Sequence, residues 1–201
     1  MINDDVVQRE IRAFFGHEKP EGYEDVLKGE FTEADLEKVT WFERDEPGLT
    51  DASLKDVAKL QNLTHLVLQD NQITDDGLKE IAKLQKLDYL NLNGTKITDK
   101  GLKDVAKLQE LDHLNLGDTQ ITDAGLVEVA KLRNLKVLLL ADTKITPEGL
   151  ILAYGGEKNM FGEWRLTKPH QLTEVYLPES EWTDWDDQLR TFAFPETVFS
   201  F

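Results

Sequence analysis

His65 and His113 stand at equal spacing on either side of Tyr89, and imidazole nitrogens are common ligands for zinc. Asp70, Asp75 and Asp76 offer clustered carboxylate oxygens of the kind calcium takes. The glycines of YGGEKNMFGE suggest a backbone cradle for phosphate. Each of these signals has a plainer reading. One ion would have to reach two histidines lying two strands apart, roughly 9–10 Å between backbones, with Tyr89 between them. DNQITDDG lacks the D-x-D-x-D-G order of a calcium loop, and aspartates at helix starts are accounted for by the helix dipole. G-G-x-x-x-x-x-G has neither the spacing nor the Lys-Ser/Thr ending of a phosphate loop and reads as a flexible insert. No serine sits in a G-x-S-x-G elbow, and the absence of cysteine removes thiolate chemistry and disulfides. Paired carboxylates are too plentiful in so acidic a chain to mark an acid and a base. The expectation is therefore no catalysis, no metal and no cofactor.

These residues must be positioned by the elements around them, and those elements repeat. The segments beginning at Leu49, Ile73, Ile97 and Ile121 are 24 residues long and nearly superimposable: LTDASLKDVAKLQNLTHLVLQDNQ, ITDDGLKEIAKLQKLDYLNLNGTK, ITDKGLKDVAKLQELDHLNLGDTQ and ITDAGLVEVAKLRNLKVLLLADTK. Each unit contains two periods. Leu66 and Leu68 alternate as in a strand, and Leu54, Val57 and Leu60 recur every third residue as on a helix. Neither element can bury its apolar side alone, so strands must stack beside strands and helices must pack behind them. In the Ile145 unit, Pro147 suits a first helical position and makes Thr146 the N-cap.

The ending of each unit, such as LDYLNLNGTKI, follows L-x-x-L-x-L, three positions, then an apolar residue. On these residues the chain resembles leucine-rich-repeat proteins, and most closely the bacterial subclass with a TDxGL signature. Thr95, Thr119 and Thr143 replace the usual Asn, which Asn71 alone retains. The resemblance implies an α/β solenoid with a curved parallel sheet on the concave side and helices on the convex side. It also implies a role in recognising other proteins.

One domain is expected over residues 1–201. Residues 1–35 form an N-terminal cap, with Val7, Ile11, Phe14 and Phe15 at helical spacing. Residues 36–48 form a degenerate first strand, 49–153 the regular repeats and 154–166 an inserted loop. Residues 167–201 hold the last repeat and an aromatic-rich C-terminal cap containing Phe192, Phe194, Val198 and Phe199.

In the L-x-x-L-x-L frame the leucines point inward and the positions between them line the concave face in columns. One column reads Trp41, His65, Tyr89, His113, Val137, Glu174; the next reads Glu43, Val67, Asn91, Asn115, Leu139, Tyr176. A strand-exit column reads Glu46, Asp70, Gly94, Asp118, Asp142, Glu179. The expected partner-binding residues are Trp41, His65, Tyr89, His113, Val137, Leu139 and Tyr176, with Asp70, Asp118 and Asp142 as an acidic rim. Two plainer alternatives stay open: the stacked rings merely support one another, or the insert folds over Val137, Leu139, Ala141 and Tyr176 and completes the core.

Lys and Arg total 23 against 39 Asp and Glu, a net charge of −16 that repels nucleic acid and anionic membranes and favours a basic partner. No stretch approaches the length of a membrane span and the opening MINDDVVQRE is no signal peptide, so a cytoplasmic monomer is expected. The leading function is a non-catalytic module holding a protein or peptide on its concave face. A sensor or enzyme with a pocket beside the insert, lined by Phe161, Trp164 and Tyr176, is the first alternative. A self-associating structural solenoid is the second.

Overall fold

The computed structural model describes residues 2–18, 31–43, 47–158, 164–166, 171–177 and 198–200. Helix α1 (Asp5–Glu18) and the short α2 (Glu33–Leu36) precede strand β1 (Trp41–Glu43). Helices and strands then alternate: α3 (Asp51–Val57), β2 (His65–Val67), α4 (Asp75–Ile81), β3 (Tyr89–Asn91), α5 (Leu102–Val105), β4 (His113–Asn115), α6 (Asp123–Val129), β5 (Val137–Leu139) and α7 (Pro147–Ala153). After α7 come β6 (Gly156–Lys158), β7 (Trp164–Leu166), β8 (Glu174–Tyr176) and β9 (Val198–Ser200). The molecule is an α/β solenoid of repeated strand–helix coils. Its seven-stranded sheet runs β1-β2-β3-β4-β5-β8-β9, all neighbours parallel.

The register follows the repeat: Trp41, His65, Tyr89, His113, Val137 and Glu174 are successive partners, as are Phe42, Leu66, Leu90, Leu114, Leu138 and Val175. The second row is fully buried or nearly so, and Leu78, Ile81, Leu84 and their equivalents meet it from the helical side. Burying one such leucine contributes roughly 1.5–3 kcal/mol, and truncating it to alanine costs about 2–5 kcal/mol.

The T-D-x-G-L segments hold the coils together. The carboxylate of Asp51 accepts hydrogen bonds from the amide and hydroxyl of Thr74 at 2.8 and 2.6 Å. Asp75 does the same for Thr98 at 2.8 and 2.7 Å, Asp99 for Thr122 at 2.8 and 2.7 Å, and Asp123 for Thr146 at 2.7 Å twice. A Cβ at Gly101 would lie 2.5 Å from Asp75 Oδ1, so the carboxylate needs the glycine's empty space. The helix dipole is therefore not a sufficient account of these aspartates, since each is committed to the next coil. Nor does Asp99 lie within its helix: α5 begins at Leu102, leaving Asp99 in the turn before it. Thr146 caps α7 as expected, its hydroxyl accepting from the Gly149 amide at 3.1 Å with Pro147 in the first turn.

The Asn-to-Thr departure has a local solution. Thr95, Thr119 and Thr143 donate to the carbonyls of Leu92, Leu116 and Leu140 at 2.6, 2.6 and 2.7 Å. Asn71 reaches the preceding coil, accepting from the amides of Gly48 and Leu49 at 3.0 and 2.8 Å.

At the N-terminal end α1 packs against β1 and α3, burying Val7 and Ile11. The amides of Asn3 and Asp4 donate to Asp56 Oδ2 at 2.6 and 2.7 Å. The side chains of Phe14 and Phe15, and Phe192 and Phe194, lie outside the described residues. Val198 and Phe199 lie in β9, which prolongs the sheet beside β8.

The insert departs from a flexible loop. Its arms β6 and β7 pair antiparallel, and β6 packs against α7, where a Cβ on Gly156 would collide with Ile151 Cγ2. Tyr154 belongs to the core: it forms the C-cap of α7 and is 8% exposed. The cause is plain in the spacing, because α7 needs a last apolar residue and the tyrosine supplies it.

Candidate functional site

Because the strands pair in register, one ring column runs across them. His65 and Tyr89 stack at 5.6 Å between centroids with an interplanar angle of 14°, and Tyr89 and His113 approach at 5.9 Å and 31°. Trp41, on β1, is 41% exposed at the start of this row. Face-to-face rings on neighbouring strands must present their edges to the concave side. Val137 and Leu139 continue the surface half-buried, and Tyr176 is 38% exposed. Strand β6 of the insert contacts α7 on the helical layer, and Tyr176 lies on β8 in the sheet. Phe161 is outside the described residues, and the side chain of Trp164 is too.

The margins hold residues that column reading overlooked. Asp112, just ahead of β4, accepts from His113 Nδ1 and lies 3.3 Å from Lys136 Nζ. Burial raises that carboxyl, but the partnership with His113 and Lys136 outweighs it and holds the group below the ordinary aspartate value. Asp88 Oδ1 lies 3.4 Å from His65 Nδ1, and Thr64 Oγ1 lies 2.8 Å from the same nitrogen. The available signal was their position, one residue before each strand. At the other end, the Tyr176 hydroxyl donates to Glu174 Oε2 at 3.2 Å, and that hydrogen bond to a carboxylate pushes the phenol up.

Asn91, placed on the open face by the column reading, is instead 7% exposed. Its Oδ1 accepts the Asn93 amide at 3.0 Å and its Nδ2 donates to Gln69 Oε1 at 3.3 Å. It serves the bend that leaves the strand.

Asp70, Asp118 and Asp142 are exposed at the strand exits with φ of 56°, 47° and 55°, and Gly94 takes φ 66° in the same column. This left-handed turn favours Gly, Asn or Asp, so backbone geometry alone justifies those positions and the carboxylates come with it. Asp75 is committed to Thr98, and Asp76 pairs with Lys79 at 2.5 Å. Among the described residues no three His, Cys, Asp or Glu side chains converge to hold a metal ion.

The family profile for leucine-rich repeats in two copies matches residues 61–104, and a single leucine-rich-repeat profile matches 107–130 and 131–152. No curated protein matches the chain. Among solved structures, an internalin (inlF) of Listeria monocytogenes is similar at a TM-score of 0.55 and 21% identity. The match covers 86% of this chain and 49% of the internalin, so the chain spans about half of that protein's length. An internalin C2 (inlC2) of the same organism gives a TM-score of 0.45 at 18% identity over 98% of this chain and 92% of that one. A leucine-rich-repeat protein of Leptospira interrogans gives 0.49 at 23% over 73% and 33%. At 21% identity the likeness to inlF concerns the fold. Among the described residues no helix is long and apolar enough to cross a membrane.

Proposed function

Because the chain is a leucine-rich-repeat solenoid, a fold that generally serves as a scaffold for protein–protein contact, we propose that it is a non-catalytic module holding a protein or peptide partner on its concave face. The observation that carries this reading is the surface itself. Trp41, the His65–Tyr89–His113 stack and Val137 form one row of exposed and half-buried groups across the sheet, and Leu139 and Tyr176 stand together in the neighbouring row. Aromatic side chains bury much area at little entropic cost, which is why they dominate interface energetics. Asp70, Asp118 and Asp142 border the row as exposed carboxylates and favour a basic partner.

The test compares proteins cross-linked to the native chain with those cross-linked to Val137→Glu and Leu139→Glu variants. A partner captured by the native chain and lost from both variants, at unchanged thermal stability, supports the concave face. A variant that loses capture only by unfolding assigns Leu139 to the core, since an unpaired buried carboxylate costs several kcal/mol. A partner retained by both variants places binding elsewhere.

A further inference from the structure

Asn93 is the only asparagine of the chain followed by glycine. Gly94 stands in the strand-exit column between Asp70 and Asp118, all three at positive φ. A glycine after asparagine removes the side chain that otherwise hinders approach of the next amide nitrogen to the carboxamide carbon, and asparagine is among the side chains that degrade chemically. The peptide unit joining the two residues is held from both sides. Its carbonyl, that of Asn93, accepts the Asp70 amide of the coil before at 2.9 Å, and its amide, that of Gly94, donates to the Gly117 carbonyl of the coil after at 3.0 Å. The carboxamide is placed by the same following coil. A Cβ on Gly117 would lie 2.6 Å from Asn93 Nδ2, so the amide rests in the space of the missing side chain.

We propose that Asn93–Gly94 is a latent site of self-modification, an intramolecular deamidation that the following coil holds off. In the reaction the Gly94 amide gives its proton to solvent base and its nitrogen bonds to Asn93 Cγ. The Cγ–Nδ2 bond breaks, and the nitrogen, protonated by water, leaves as ammonia. Water then opens the cyclic imide at either carbonyl and leaves aspartate or isoaspartate, with no change of oxidation state. In the folded coil the attacking nitrogen is held away from this course. Its hydrogen is committed to Gly117, and turning the peptide unit toward Cγ breaks both that bond and the one from Asp70. Ring closure therefore waits for local opening at the exits of β3 and β4. The product carries a new carboxylate next to the exposed Asp70 and Asp118. Isoaspartate also adds a methylene to the backbone inside a turn bonded to both neighbouring coils, so the opened coil cannot close as it was.

The test incubates the chain at pH 8.5, folded in buffer and unfolded in guanidinium, and follows every asparagine by peptide mass spectrometry. Asn93 should convert at least about ten-fold more slowly in the folded chain than in the unfolded one, and to a mixture of aspartyl and isoaspartyl peptides. Equal rates, faster conversion of another asparagine in the unfolded chain, or an aspartyl product alone, which means direct hydrolysis, each overturns the proposal. Gly117→Ala tests the guard, because its Cβ displaces the Asn93 carboxamide. Folded Gly117→Ala should convert Asn93 at least about three-fold faster than the native chain. Gly149→Ala is the control: its Cβ collides with Asp123 at a distant joint, so Asn93 should keep its native rate. A rate unchanged by Gly117→Ala, or raised as much by Gly149→Ala, overturns the guard. Native chain in mild denaturant gives a check that needs no variant. Conversion of Asn93 should rise in step with hydrogen exchange of the Gly94 amide, and conversion that stays flat while exchange rises overturns the proposal.

Discussion

The aspartates at the coil junctions differ sharply in what they do, although they stand side by side in the chain. Asp75 satisfies the amide and hydroxyl of Thr98, whereas Asp76 makes an exposed pair with Lys79. Replacing Asp75 by alanine should therefore cost about 1–3 kcal/mol by denaturant unfolding, and Asp76→Ala should leave the midpoint where it is. Gly101→Ala should also destabilise, because its Cβ would meet Asp75 Oδ1. Combining Gly101→Ala with Asp75→Ala should cost less than the two changes summed, since one clash is already gone. Asp56 gives a pH signature. Burial raises its carboxyl, but Lys59 and the amides of Asp4 and Asn3 more than offset this and hold it below the ordinary value. A depressed carboxylate contributes stability that is full above its unfolded value and lost as pH falls through the folded one. Urea midpoints followed from pH 7 to pH 3 should thus fall more steeply for the native protein than for Asp56→Asn, with the difference confined to below about pH 4.

Between residue and molecule stand the strand, helix and hairpin, and here the sequence was unevenly legible. Leu66, Leu90, Leu114 and Leu138 announce the sheet, because a parallel in-register stack repeats each inward position at the period of the chain. The same period puts Trp41, His65, Tyr89 and His113 in one row. The Asp–Thr bridges are hidden in the sequence, since the helix dipole offers a local explanation for an aspartate at a helix start while its hydrogen-bond partner lies one coil away. The His65–Asp88 approach was hidden likewise, being a contact between strands at unequal positions. Gly156–Lys158 and Trp164–Leu166 are too short and mixed to show alternation, so their pairing had no pattern to read. The hairpin and the tyrosine before it should separate by experiment. Replacing residues 156–166 by a short Gly-Ser linker should leave a single cooperative transition, while Tyr154→Ala should cost about 3 kcal/mol as a buried aromatic is truncated.

Among the described residues the main contacts of each coil are with its neighbours, so stability should be graded along the axis. Amide hydrogen exchange should be slowest in β3 and β4, which have at least two paired strands on either side in the sheet, and faster in β1, which among the described residues has a strand partner on one side. Equal protection throughout would mean that the ends are tied down as firmly as the middle. The bridges between coils have a direction, each carboxylate serving the threonine of the coil that follows, and Pro147 occupies the position that Asp51, Asp75, Asp99 and Asp123 hold earlier. A fastener with a hook at one side and an eye at the other can be lengthened at any joint that has both. Duplicating residues 73–96 in frame should therefore yield a longer solenoid with one more strand and one more bridge. Duplicating from Ile145 onward should not, because proline brings no hook to the joint it would create.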